Sequence, residues 1–221
     1  MPMKLLRVDT SIRNQGSVSR EVADSLQRAW QAEHPSGTVA RRDLGADPLP
    51  ADAWTAAASA AMAAGDRPTP VQADATALAA RLADELLEAD AAVVATSLYN
   101  FGVSQHLKTW IDLLIADPRL GPGGTQPLAG RPMALVIARG GGYGPGTPRE
   151  GWDHATPWLR RIFADVFGMD TEVVAAELTL ADVNPAMEPL RDLAAQSRRD
   201  AHTAAADHGR AMARLADRAS A

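Results

Sequence analysis

Thr10, Ser11, Ser17 and Ser19 place four hydroxyls just ahead of a helical pattern, in the segment Asp9-Thr-Ser-Ile-Arg-Asn-Gln-Gly-Ser-Val-Ser-Arg20. A helix N-terminus presents unpaired N–H groups at the positive end of the macrodipole. Hydroxyl donors beside it make a phosphate cradle, and Gly16 permits the left-handed turn that brings the chain into it. Plain N-capping by Ser17 or Ser19 needs fewer hydroxyls than this segment offers. A second segment, Ser97-Leu-Tyr-Asn-Phe101 followed by Gly102, combines an apolar wall (Leu98, Tyr99, Phe101) with polar contacts from Asn100 and the backbone. That is the chemistry a flat heteroaromatic ring needs. The third, Ala138-Arg-Gly-Gly-Gly-Tyr143, has consecutive glycines, which let a backbone approach a ligand closely and form an anion-stabilising nest. The chain has five Trp, two Tyr and three Phe. Tyr99, Phe101, Tyr143 and Trp152 fall in or just after the second and third segments, a concentration that favours a flat aromatic ligand.

Several other chemistries are excluded. G-x-x-x-x-G-K-[ST] is absent, and the first turn lacks G-x-G-x-x-G, so neither a P-loop nor a dinucleotide fingerprint fits. Without G-x-S-x-G there is no hydrolase nucleophile elbow. His34, His106, His154, His202 and His208 show no metal-ligand spacing, and no metal is expected. Cysteine is absent, which removes disulfides, thiolate metal sites and cysteine nucleophiles. Lys and Arg number 22 against 27 Asp and Glu, a net charge of -5, so no nucleic-acid or anionic-membrane partner is expected. No targeting or membrane-spanning segment is visible, and a cytoplasmic location is the expectation. Asp43 reads as a turn or capping residue.

The elements that must position these segments follow from periodicity. Strands are expected at Leu5–Asp9, Thr38–Leu44, Ala91–Thr96, Met133–Ala138 and Thr171–Leu178. Helices are expected at Val18–Glu33, Ala51–Ala64, Val71–Glu88, His106–Ile115 and Pro157–Phe167, the last ended by Gly168 as a C′ glycine. A long Ala- and Arg-rich helix, or two, fills the tail from about Met187 to Arg218, its Ala and Leu face packed on the sheet or a partner. At 221 residues the chain suits one domain over 1–221. Alternating strands and helices imply right-handed crossovers and a parallel sheet covered on both faces. The expected architecture is an α/β, flavodoxin-like three-layer sandwich with five strands in the order 2-1-3-4-5. Its ligands bind outside the carboxyl ends of the strands, where the three segments lie.

Together the segments resemble the FMN-dependent NADH-azoreductase family, also described as NAD(P)H:quinone oxidoreductases. The resemblance runs from Lys4 to about Leu178. Its most specific part is Tyr99-Asn-Phe101 followed by Gln105, Leu107, Lys108 and Asp112; Ser11-x₅-Ser17-x-Ser19 and Arg139-Gly140-Gly141 agree in order and position. The resemblance implies FMN at a homodimer interface. Ser11, Ser17, Val18 and Ser19 would hold its phosphate, Leu98, Tyr99, Asn100 and Phe101 would flank the isoalloxazine, and Ala138, Arg139, Gly140 and Gly141 would contact the pyrimidine side. It further implies ping-pong hydride transfer from NADH or NADPH to a quinone or azo compound, with no catalytic side chain required. Two positions depart from the family pattern: Ser97 stands where the family has Pro, and Ala138 where it has Ser. Neither abolishes a site made mainly of backbone. The residues by themselves leave open a flavin-binding electron carrier, or a flavodoxin-like interaction protein without catalysis.

Overall fold

Five parallel strands form one sheet in the order β2-β1-β3-β4-β5 in the computed structural model, which describes residues 2–13, 15–63, 67–121 and 123–219. β1 is Lys4–Asp9, β2 Thr38–Asp43, β3 Ala91–Ser97, β4 Pro132–Ala138 and β5 Asp170–Ala176. β3 and β4 are apolar almost throughout and buried on both faces, as central strands of a covered parallel sheet must be. The edge strand β2 is half exposed, and its Arg41 and Arg42 suit that position.

Alternation along each strand sends side chains to two separate cores. Leu5, Val93, Ala95, Ala134 and Val136 meet helices α1 (Val18–Glu33) and α6 (Arg191–Ala219) on one face. Leu6, Val8, Val94, Leu135 and Ile137 meet α2 (Ala53–Met62), α3 (Pro70–Leu87), α4 (Gln105–Ala116) and α5 (Ala155–Arg160) on the other. Starts are marked by local chemistry. Thr69 and Gln72 close a capping box on α3 with Pro70 in its first turn, and the Ser104 hydroxyl accepts from Leu107 N at 3.2 Å to cap α4. Ala64, expected at the end of α2, lies outside the described residues.

Three elements differ from their expected form. The strand expected over Thr171–Leu178 is Asp170–Ala176, because Leu178 turns out of the sheet at φ +59°. The helix expected over Pro157–Phe167 begins at Ala155 and widens into π-helical turns over Arg161–Val166. The wider turns set Phe163 against both Trp110 and Phe167, with ring centroids 6.2 and 5.8 Å apart. Gly168, at φ +73°, then reverses the chain into β5. The tail opens with a 3₁₀ turn, Pro185–Leu190, before α6. The face of α6 toward α1 is made of Ala201, Ala205, Met212 and Ala213, whereas Leu193 and Leu215 point outward. Close approach explains the choice: a Cβ on Gly209 would stand 2.3 Å from the Leu26 carbonyl oxygen.

Candidate functional site

Strand register brings the three segments to one edge of the sheet. Asp9 pairs with Ala95 and Ser97 with Ala138, so β1, β3 and β4 end side by side. Hydrogen bonds then tie the turns together. Thr10 Oγ1 donates to Thr96 Oγ1 at 2.8 Å, Ile12 N to the Tyr99 hydroxyl at 3.1 Å, and Leu98 N to the Ala138 carbonyl at 2.8 Å. His154 N donates to the Phe101 carbonyl at 2.9 Å, joining the start of α5 to the second segment.

The first turn presents a donor set without acceptors to match. Gly16 takes φ +62° and Ser17 occupies the N-cap of α1, yet its side chain makes no capping bond. Ser17 Oγ and Ser19 Oγ are buried and 3.2 Å apart, sharing one hydrogen bond between them. The N–H groups of Ser19 and Arg20 have no hydrogen-bond partner among the described residues. Two hydroxyls and a helix N-terminus that leave donors over fit a phosphate.

The turn is held from below by buried charge. Asp9, fully buried, accepts from Arg7 Nε at 3.0 Å and from Arg41 Nε at 2.7 Å. Arg20 pairs with Asp43 at 2.5 and 2.7 Å and donates from Nη2 to the Ser11 carbonyl at 2.9 Å. The hydrogen bond from Arg20 holds the Asp43 carboxyl below the ordinary carboxylate range; the Ala46 amide and the charges of Arg20 and Arg41 act the same way, and burial opposes them. Reciprocally, Asp43 raises Arg20. Asp43 also accepts from Gly45 N and Ala46 N, so it is the turn residue expected and a charge partner as well.

The second segment is a two-residue turn. Tyr99 and Gly102 exchange both backbone hydrogen bonds, at 3.0 and 2.9 Å, while Asn100 and Phe101 take φ +47° and +67°. Positive φ at both central positions is the requirement of a type I′ turn. Asn tolerates it; Phe pays about 1–2 kcal/mol. Such strain clusters at ligand clamps. The Asn100 and Phe101 amides sit at the tip with no partner among the described residues, and Phe101 meets Trp152 edge-on at 5.3 Å. Ser97 extends β3 by one residue beyond its expected end.

The third segment leaves β4 after Ala138. Arg139 is clamped to Asp153 and Glu177, each at 2.7 Å, and donates to Thr156 Oγ1 at 2.9 Å. Its two Nη atoms are therefore committed to the protein, its buried Nε has no partner among the described residues, and the segment otherwise offers a ligand backbone. The N–H groups of Gly140, Gly141 and Gly142 have no partner among the described residues. The structure thus brings Ser11, Ser17, Val18, Ser19, Leu98, Tyr99, Asn100, Phe101, Ala138, Arg139, Gly140 and Gly141 to one rim. Phosphate-type donors lie at one end, an aromatic wall in the middle and glycine amides beyond it. That donor set fits FMN.

Sequence reasoning missed Arg20, Gly45, Glu177 and Thr179, which brace the three segments through the hydrogen bonds and close packing around them. A Cβ on Gly45 would stand 2.1 Å from the Ser11 carbonyl oxygen, so only glycine lets the turn after β2 support the first segment. No group of three or more His, Cys, Asp or Glu that could hold a metal occurs among the described residues, and none of their helices is long and apolar enough to cross a membrane.

Residues 3–201 match the family described as flavodoxin-like fold, and the chain belongs to that family. Its relatives are more particular. A Streptomyces avermitilis protein named FMN-dependent NADH:quinone oxidoreductase is 39% identical over 213 residues, covering 95% of this chain and 96% of the relative. One of the same name from Kineococcus radiotolerans is 41% identical over 210 residues, covering 94% and 99%. The crystal structure of an azoreductase from Bacillus anthracis str. Sterne aligns with a TM-score of 0.75 at 26% identity, over 94% of this chain and 99% of that one.

Proposed function

We propose that this chain is an FMN-dependent NAD(P)H oxidoreductase acting on quinones or azo compounds. The observation that carries the reading is the convergence of three strand-end turns whose unpaired donors suit a phosphate at one end and the polar edge of a ring at the other. The names of its relatives point the same way. FMN supplies the hydride chemistry when bound, and the protein supplies binding, orientation and electrostatics.

Each turn then has a defined task. Ser11, Ser17, Val18 and Ser19 bind the phosphate through hydroxyls and helix-end amides. Leu98, Tyr99 and Phe101 wall the ring, and the strained turn presents the Asn100 amide to its edge. Ala138, Arg139, Gly140 and Gly141 line the pyrimidine side, where the glycine amides would stabilise developing negative charge in the manner of an oxyanion hole. NADH or NADPH and the oxidant would bind in turn over the same open rim, a ping-pong order that calls for no protein nucleophile or general acid. Ile12, Phe101 and Trp152 are exposed around this open rim, and a second copy of the chain in a homodimer would cover them. Residues 1–221 act as one domain in the cytoplasm.

The decisive experiment is a visible spectrum of the purified protein mixed with FMN, followed by anaerobic NADH and then menadione. The expected result is a protein-bound flavin spectrum that bleaches with NADH and recovers with the quinone. A protein that takes up no FMN is an interaction module, and one whose flavin ignores NADH is an electron carrier; either outcome sinks the proposal.

A further inference from the structure

The loop after β5 makes an unusual set of contacts. Thr179 N donates to the Arg139 carbonyl at 3.0 Å, Leu180 N to the Gly140 carbonyl at 3.3 Å and Leu178 N to the Gly141 carbonyl at 3.2 Å. The Thr179 hydroxyl adds a second bond to the Arg139 carbonyl, at 3.2 Å. Three consecutive carbonyls of the glycine segment are thus all drawn toward one neighbouring loop.

Peptide geometry turns this into a statement about the opposite side. In a trans peptide unit the C=O of one residue and the N–H of the next point in opposite directions. Carbonyls of Arg139, Gly140 and Gly141 fixed toward the β5 loop therefore aim the amides of Gly140, Gly141 and Gly142 away from it. β5 and β3 flank β4 on opposite sides, so these amides face the side from which Leu98–Phe101 rises. Leu178 holds this arrangement at φ +59°, a left-handed conformation that L side chains rarely adopt. Leu180 lies over Gly140, whose added Cβ would stand 2.8 Å from Leu180 Cδ1. Ser197 of α6 anchors the loop by accepting from Glu177 N at 2.9 Å.

We propose that Leu178 and Thr179 are positioning residues that set the preference of this site for the reduced over the oxidised ring. Their backbone and hydroxyl donors are spent on the carbonyls of Arg139, Gly140 and Gly141. They act by aligning three amides toward the pyrimidine edge, where reduction places negative charge. Donors aligned before the charge arrives stabilise it without reorganisation. The inference rests on the FMN reading and deepens it.

The test measures the two-electron midpoint potential of FMN bound to the full chain, with thermal unfolding of the FMN-free protein alongside. Thr179→Val removes the hydroxyl bond without changing charge. It should lower the reduced-over-oxidised affinity ratio about threefold, close to 14 mV more negative, since tenfold is 29.6 mV for two electrons. Thr179→Ser keeps the hydroxyl and should return to the parent potential. Leu178→Pro removes one amide donor and forbids φ +59°, so it should shift the ratio about tenfold, near 30 mV. A parent chain that binds FMN, with potentials unmoved in Thr179→Val and Leu178→Pro, overturns the positioning role alone. A parent chain that takes up no FMN overturns the FMN reading and this role with it.

Discussion

Arg20 Nη2 lies 2.9 Å from the Ser11 carbonyl oxygen, while the same guanidinium grips Asp43 at the end of β2. One side chain thereby fixes the first turn to the end of the neighbouring edge strand.

Removing it should loosen the phosphate grip. Arg20→Ala is expected to weaken FMN binding tenfold or more, about 1.4 kcal/mol. Arg20→Lys should recover only part of this, because an ammonium cannot span Ser11 and Asp43 as a planar fork does. Fluorescence titration of FMN reads the effect. A lowered Tm with unchanged Kd would make Arg20 a support of the fold alone.

Gly45→Ala tests the same turn from the other side. The added Cβ meets backbone at 2.1 Å, which no rotamer change relieves. FMN affinity and Tm should both fall, and a variant matching the parent in both would contradict the packing described.

Acid should release this support through Asp43. Its folded pKa lies below the unfolded value near 3.9, so its contribution is complete at neutral pH. It fades as pH falls below about 4 and toward the depressed value. Urea unfolding of the parent and of Asp43→Asn at pH 7 and pH 3.5 should therefore show a stability gap that narrows in acid. A gap of constant size would remove the linkage.

Asp9 is the buried anion on which Arg7 and Arg41 converge. Asp9→Asn leaves the buried Arg7 with Asp24 as its remaining carboxylate partner and should destabilise the chain by about 1–3 kcal/mol. Combining it with Arg7→Met should cost less than the sum of the two single changes. Thermal unfolding of the three variants gives the coupling, and simple additivity would argue against a shared cluster.

Gly209→Ala serves as the contrast, since Gly209 lies on α6 against α1 and takes no part in the rim. Forcing the two helices apart should destabilise by about 1–3 kcal/mol while the Kd for FMN of the folded protein stays unchanged. A changed Kd would mean that α6 reaches the site.

The fold was legible because its signals are local and repeated. Apolar runs such as Ala91–Thr96 name buried strands, and the alternation of strands with amphipathic helices implies the parallel order. The rim was legible through residue type: hydroxyls before a helix, consecutive glycines and aromatics in turns. Its supports were not. Arg20 and Asp43 are 23 residues apart, and Arg139 and Glu177 are 38 apart; no periodicity links such charges before the sheet is assembled. Nothing in the sequence marks Gly45, because its constraint comes from Ser11 after the neighbouring strand. The π-helical turns after Arg160 were likewise hidden, since the same apolar spacing serves a regular helix until Phe163 must reach Trp110.

The amides of Gly140, Gly141 and Gly142 belong to the main chain, as do those of Ser19 and Asn100. Mutation to anything but proline exchanges a side chain without deleting one of these donors. A surface built this way would keep its grip on a prosthetic group through exchanges of the side chains around it.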